Sequence, residues 1–126
     1  MEPAVLRELI ERYNAAWNAH DLDAIDELHH PDVVFDNHTA DERAEGAAAV
    51  REHIARIFRN NPTLRFTTRS LYAGDDFAVC EWTAQAVGGD GQRLEWDGVD
   101  VFPVRDGRIL RKDVYSASHS PRVLGT

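Results

Sequence analysis

Apolar residues recur every three or four positions at the start of the chain: Val5, Leu6, Leu9, Ile10, Tyr13 and Trp17, with Glu8, Glu11 and Arg12 between them. That spacing places one apolar stripe on an amphipathic helix, entered through Pro3, whose fixed φ suits a first helical position. Asn18, His20 and Asp21 interrupt the stripe. Asp21 can then cap a second, shorter helix carrying Leu22, Ile25 and Leu28, which Pro31 forbids to continue. The two helices form a hairpin. Val33, Val34 and Phe35 predict a brief strand, whereas residues 36–45 are polar without apolar periodicity and predict a loop over a pocket mouth. Gly46 opens a third helix with Val50, Ile54, Ile57 and Phe58 on one face, and Asn60, Asn61 and Pro62 close it.

From Leu64 onward the period changes to two. Strands are expected over 64–72, 77–87, 93–104 and 108–117, punctuated by Gly74-Asp75, by the glycine-rich stretch 88–91 and by Asp106-Gly107. Such short punctuation joins antiparallel hairpins. Three helices followed by a meander of long strands is the order of an α+β domain, with helices segregated to one face of a curved antiparallel sheet. The 126 residues contain no linker or repeat and are expected to fold as one domain over 1–126.

Twenty-two acidic against 14 basic side chains give a formal charge of −8, a field that repels phosphate backbones and anionic lipid. Neither nucleic acid nor a membrane is an expected partner. No apolar run approaches the roughly 18 to 20 residues of a bilayer span, and Met1 is not followed by a signal segment, so a cytoplasmic location is expected. Cys80, the only cysteine, lies in an apolar stretch and reads as a small core residue. The six histidines show no ligand spacing: His29 and His30 are adjacent, and His20, His38, His53 and His119 are scattered. No metal or other cofactor is expected.

Several strings taken together resemble a known group. They are Arg12-Tyr13, Trp17-Asn18-Ala19-His20-Asp21-Leu22-Asp23, Pro31-Asp32-Val33-Val34-Phe35, Gly98-Val99-Asp100-Val101-Phe102 and Asp106-Gly107-Arg108-Ile109. In this order they resemble the SnoaL-like polyketide cyclases and ketosteroid isomerases of the nuclear transport factor 2-like superfamily. The resemblance covers nearly the whole chain. It implies three N-terminal helices on a strongly curved, cone-shaped sheet of the cystatin-like kind, a conical pocket, and a homodimer packed through the outer sheet surface. It does not imply one reaction, because fold alone does not fix function.

The resemblance also nominates residues. Tyr13 matches a tyrosine that donates a hydrogen bond to substrate oxygen in the isomerases; otherwise it is a core aromatic of the helix stripe. Asp100 matches an aspartic acid kept protonated by an apolar site so that it can donate. Alternation supports its placement, since Trp96, Gly98, Asp100 and Phe102 share one strand face; the plainer role is a cross-strand ion pair. The isomerase base is missing, because Asn37 stands where those enzymes carry aspartate and Asp36 falls one residue early. His38, beside them, titrates near neutrality and could move a proton instead. Glu81 shares a face with Val79, Thr83 and Gln85 at positions that line the isomerase pocket, and Lys112 on the last strand could pair with it. With the register shifted by one, Cys80 and Trp82 line the cavity and Glu81 faces solvent or a dimer interface.

Two functions follow from these residues. The first is a cofactor-independent enzyme for proton-transfer chemistry on a hydrophobic, oxygenated small molecule: isomerisation, cyclisation, dehydration or epoxide opening. Tyr13 and Asp100 would hold the oxygen, and Asp36, His38 or Glu81 would supply the base. Trp17, Phe58, Trp96 and Phe102 would shape the pocket. The second is a module that binds a ligand or partner without turning it over, its pocket carboxylates locked in ion pairs. An unpaired carboxyl within reach of Tyr13 or Asn37 favours the first, and a fully paired set favours the second.

Overall fold

The computed structural model describes residues 1–125. Helix α1 (Pro3–Asn18) starts with proline in its first turn and buries Leu6, Leu9, Ile10, Tyr13, Ala16 and Trp17, the stripe that the spacing predicts. The Asp21 carboxylate accepts from the Ala24 N–H at 3.1 Å and caps α2 (Leu22–Leu28). Helix α3 (Ala47–Asn60) follows Gly46, whose φ of 90° favours glycine.

The chain turns straight from α2 into strand β1 (His29–Asn37), longer at both ends than the predicted 33–35. Pro31 lies inside it, where the ladder to its neighbour is irregular between His29 and Val34, so its missing N–H breaks no regular pairing. The predicted loop over 36–45 is corrected in the same place. β1 runs on to Asn37, and Glu42–Glu45 forms an edge strand, β2, antiparallel to it. An edge strand needs backbone partners rather than apolar side chains, so its sequence carries no apolar period.

Four long strands follow: β3 (Arg65–Ala73), β4 (Phe77–Val87), β5 (Arg93–Arg105) and β6 (Arg108–Ser116). The sheet order is β2-β1-β6-β5-β4-β3, and a last short strand, β7 (Arg122–Gly125), pairs with the start of β5. β1 lies parallel to β6, so the sheet is mixed rather than wholly antiparallel. Hairpin punctuation reveals only the direction of sequence neighbours, and β1 meets β6 across most of the chain. Register breaks in β3 between Thr68 and Ser70 and in β5 between Val101 and Val104 add bend. The result is an open, curved sheet with three helices against its concave side.

On that side β4 contributes Cys80, Trp82, Ala84 and Ala86, all buried, while Glu81 and Gln85 are exposed on the other face. Trp82 sits directly opposite Gly98 of β5. A Cβ at Gly98 would stand 2.3 Å from the Trp82 ring, so the glycine makes room for the indole to lie across the sheet. Among the described residues no helix is long and apolar enough to cross a membrane.

Candidate active site

A well-formed pocket of about 390 Å³ opens between α3, the concave sheet face and the segment after β6. Trp17, Phe35, Phe66, Trp82 and Trp96 give it aromatic walls, and Asn37, Glu42, His53, Asn61, Asp100, Lys112 and Ser116 bring polar groups to it. A concave site with aromatic walls and convergent polar groups is the usual form of a small-molecule site.

At its floor lies an ion pair. Lys112 Nζ stands 3.4 Å from Asp100 Oδ2, and both side chains are almost wholly buried. The register explains the meeting: Asp100 lies opposite Val114 on β6, and Lys112 is its diagonal neighbour two residues away on the same face. Burial pushes the Asp100 carboxyl up, with Lys112 opposing. Burial likewise pushes the Lys112 ammonium down, with Asp100 opposing. Lys112 Nζ is also ringed by aromatic faces, 4.0 Å from the Trp17 centroid, 5.1 Å from Tyr13, 5.5 Å from Phe102 and 5.9 Å from Phe35. Such contacts favour a cation.

The pair leaves hydrogen-bonding capacity unspent. Among the described residues Asp100 Oδ1 and the indole nitrogens of Trp17 and Trp82 are buried without a partner at hydrogen-bond distance, although the Trp82 indole lies near enough to Asp100 to oppose the rise in its pKa. A buried polar atom left unpaired costs about 1 to 3 kcal/mol, and a cluster of three beside a cavity is a place where a polar ligand atom would be gained cheaply.

His53 is the residue the sequence reading missed. It sits on the buried stripe of α3 and its ring packs edge-on to Phe35. Arg56 donates to its Nδ1 at 3.0 Å. Arginine cannot accept, so Nδ1 carries no proton and the neutral ring keeps its proton on Nε2. Burial lowers the His53 pKa, and Arg56 adds to that while Glu42 opposes it. His53 is thus a neutral donor on the pocket wall.

Of the nominated residues, Asn37, Trp17, Trp96, Asp100 and Lys112 line this pocket, and the others do not. Tyr13 is fully buried behind it, its hydroxyl hydrogen-bonded with His29 Nε2 at 2.9 Å, so it forms a wall of the Lys112 surround rather than of the cavity. Burial raises its phenol pKa and lowers that of His29 to about 4, keeping both neutral. Phe102 packs edge-on to Tyr13, and Phe58 packs on Trp17 and stacks on His20; both are core. Lys112 pairs with Asp100, not with Glu81, which takes a hydrogen bond from Ser70 on the outer face. The alternation of β4 decides this, with apolar even positions facing in.

Asp36 and His38 are corrected too. Arg43 holds Asp36 at 3.0 Å, His38 Nε2 bonds Asp113 Oδ1 at 2.9 Å, and the His38 ring stacks on Tyr115. Asp36, Asp113 and Tyr115 alternate with pocket-facing Asn37, Lys112 and Val114, so this group belongs to the outer side. Asp36, His38 and Asp113 approach within 4.8 Å of one another, the spacing of a possible cation site, but Arg111 and Arg43 already neutralise the carboxylates.

The sequence model of the SnoaL-like domain matches residues 10–112, and the chain belongs to that family. Among curated proteins none matches the chain by sequence. Solved structures give the same fold. TerC, co-crystallized with polyporic acid, is 21% identical with a TM-score of 0.81, covering 90% of this chain and 92% of its own. SalBIII, an epoxide hydrolase/cyclase-like enzyme in pyran ring formation in polyether salinomycin, is 22% identical with a TM-score of 0.80, covering 92% and 93%. A protein of Xanthomonas campestris pv. campestris proposed to be a polyketide cyclase is 26% identical with a TM-score of 0.76, covering 90% of each chain. The fold is that of the nuclear transport factor 2-like, cystatin-like group, with neighbours of several named activities.

Proposed function

We propose that the protein is a cofactor-independent enzyme that moves a proton on a hydrophobic, oxygenated small molecule. The observation that carries this reading is Asp100, buried at the floor of an aromatic pocket with one oxygen on Lys112 and the other unpartnered. A carboxylate kept ionised by an adjacent cation, yet raised by burial, is a competent acceptor for a carbon-bound proton. Lys112, the Trp17 and Trp82 indoles and His53 Nε2 are donors around the same space, and an oxygen gaining negative charge is stabilised best by donors already in place. The substrate oxygen therefore goes to the donors and the acidic C–H to Asp100 Oδ1. Tyr13 and Glu81 have no part in the step.

A second reading, ligand binding without turnover, is favoured by one observation: the Asp100 charge is already matched by Lys112. A homodimer belongs to the proposal as well, since Tyr72, Phe77 and Tyr115 are exposed on the outer sheet face, where a second copy would cover them.

Deuterium exchange separates the two readings without knowledge of the product. The protein is mixed in heavy water with a panel of hydrophobic ketones, and proton NMR follows loss of the α-proton signal. Tryptophan fluorescence reports entry into the pocket. The expected result is faster exchange for a ketone that also quenches the fluorescence; quenching without exchange would favour the binding module.

A further inference from the structure

Lys112 is the only lysine of the chain, against 13 arginines. The other 13 Lys/Arg positions are arginines, which stay protonated, and the one side-chain amine is buried beneath the pocket. We propose that Lys112 is a covalent site, its ε-amine condensing with the carbonyl of a hydrophobic aldehyde or ketone to give a Schiff base. This rests on the reading that the pocket takes an oxygenated small molecule, and it specifies a carbonyl group and a bond.

Four features meet at this nitrogen. Lys112 lines the cavity, so a carbonyl carbon can reach it. Its neighbour Asp100 can take the ammonium proton, and transfer within a buried pair removes two charges from a low-dielectric site at once. Desolvation pushes the amine toward its neutral, nucleophilic form. Finally, the aromatic surround that holds the ammonium also suits the product, because a protonated Schiff base is again a cation, with Trp17 at its face and Asp100 as counter-ion.

The step balances without any oxidant or reductant. Asp100 takes a proton from the Lys112 ammonium, and the freed lone pair forms a C–N bond to the carbonyl carbon. The carbonyl π pair moves to oxygen, which takes the proton back from Asp100 to give a carbinolamine. The nitrogen of the carbinolamine loses a proton to Asp100, its hydroxyl takes that proton, and water leaves as the nitrogen lone pair closes the C=N bond. The products are one imine and one water. Protonated, the imine withdraws electrons from the adjacent carbon, and Asp100 Oδ1 can then accept the α-proton.

Pentane-2,4-dione tests this, because its Schiff base tautomerises to a conjugated enaminone that persists without reduction. At neutral pH the native protein should gain the mass of one diketone less one water, and proteolytic mapping should place it on the peptide containing Lys112. The Lys112→Arg variant should not gain that mass there, since a guanidinium that condenses with the diketone loses two waters rather than one. In the urea-unfolded chain Lys112 is an ordinary solvated amine, so the native protein should react several-fold faster, because burial beside Asp100 leaves more of the amine unprotonated. Absence of an adduct, an adduct on the N-terminal amine alone, or equal rates in native and unfolded protein would overturn the proposal. Deuterium exchange without an adduct would end the imine and leave proton transfer standing; an adduct without exchange would do the reverse.

Discussion

Lys112→Met is expected to destabilise the protein by about 3 to 5 kcal/mol, Asp100→Leu by a similar amount, and the two together by far less than either alone. The reason is the environment of the pair. Asp100 and Lys112 are 3% and 5% exposed and stand 3.4 Å apart with aromatic rings around the nitrogen. Removing one partner leaves the other as a lone charge in an apolar site, forced to change protonation state or to draw in water. Removing both leaves a slot that leucine and methionine fill with carbon. Urea unfolding of the four proteins gives the coupling energy directly. Losses that simply add would mean that the two groups do not act as a pair.

Acid should unfold this protein sooner than its ion pairs alone predict, because His29 is buried in neutral form. Burial, and secondarily the charge of Lys112, lower its pKa from an ordinary 6.5 to about 4. The unfolded chain binds a proton at His29 below about pH 6.5, and the folded chain does so only near 4. Between those values the unfolded state holds more protons, so stability falls as the pH falls, by roughly 3 kcal/mol over the window. His53 is shifted the same way and adds to the trend. His29→Gln keeps an amide that can bond the Tyr13 hydroxyl and does not titrate. Its stability measured from pH 7 to pH 4 should lose less than that of the parent by about this amount, and parallel curves would show that His29 is protonated in the folded state.

Parts of this molecule are legible in its sequence because one period controls them. The stripe from Leu6 to Trp17 and the Asp21 cap are local matters, and the helices form where the pattern puts them. The alternation Trp96, Gly98, Asp100, Phe102 likewise put Asp100 on the concave face. What escaped is non-local or nearly patternless. Strands β2 and β7 are short and exposed, and the parallel pairing of β1 with β6 joins segments some seventy residues apart. In β4 the apolar set Cys80, Trp82, Ala84 and Ala86 alternates cleanly, but matching to relatives favoured the odd positions and put Glu81 inside. His53 carried a signal of its own, a polar residue on the apolar stripe between Val50 and Ile57. The partner of Asp100 was not readable, because Lys112 meets it along a diagonal that only the register defines. Tyr13 lies on the apolar stripe that the spacing predicts, but its two readings, substrate donor and core aromatic, stayed open in the sequence, because only the position of His29 decides where its hydroxyl points.

The most direct test of the account is the exchange assay repeated with Asp100→Asn. Asparagine keeps the shape of the side chain and cannot accept a proton at neutral pH. For a ketone whose α-protons the parent protein exchanges, the rate should drop by about 10²- to 10⁴-fold, the usual contribution of a positioned base. The dissociation constant read from tryptophan quenching should change by only a few-fold, because the aromatic walls are intact. A variant that binds the same ketone and exchanges it at the parent rate would contradict the account, since the proton would then be leaving by a group other than Asp100.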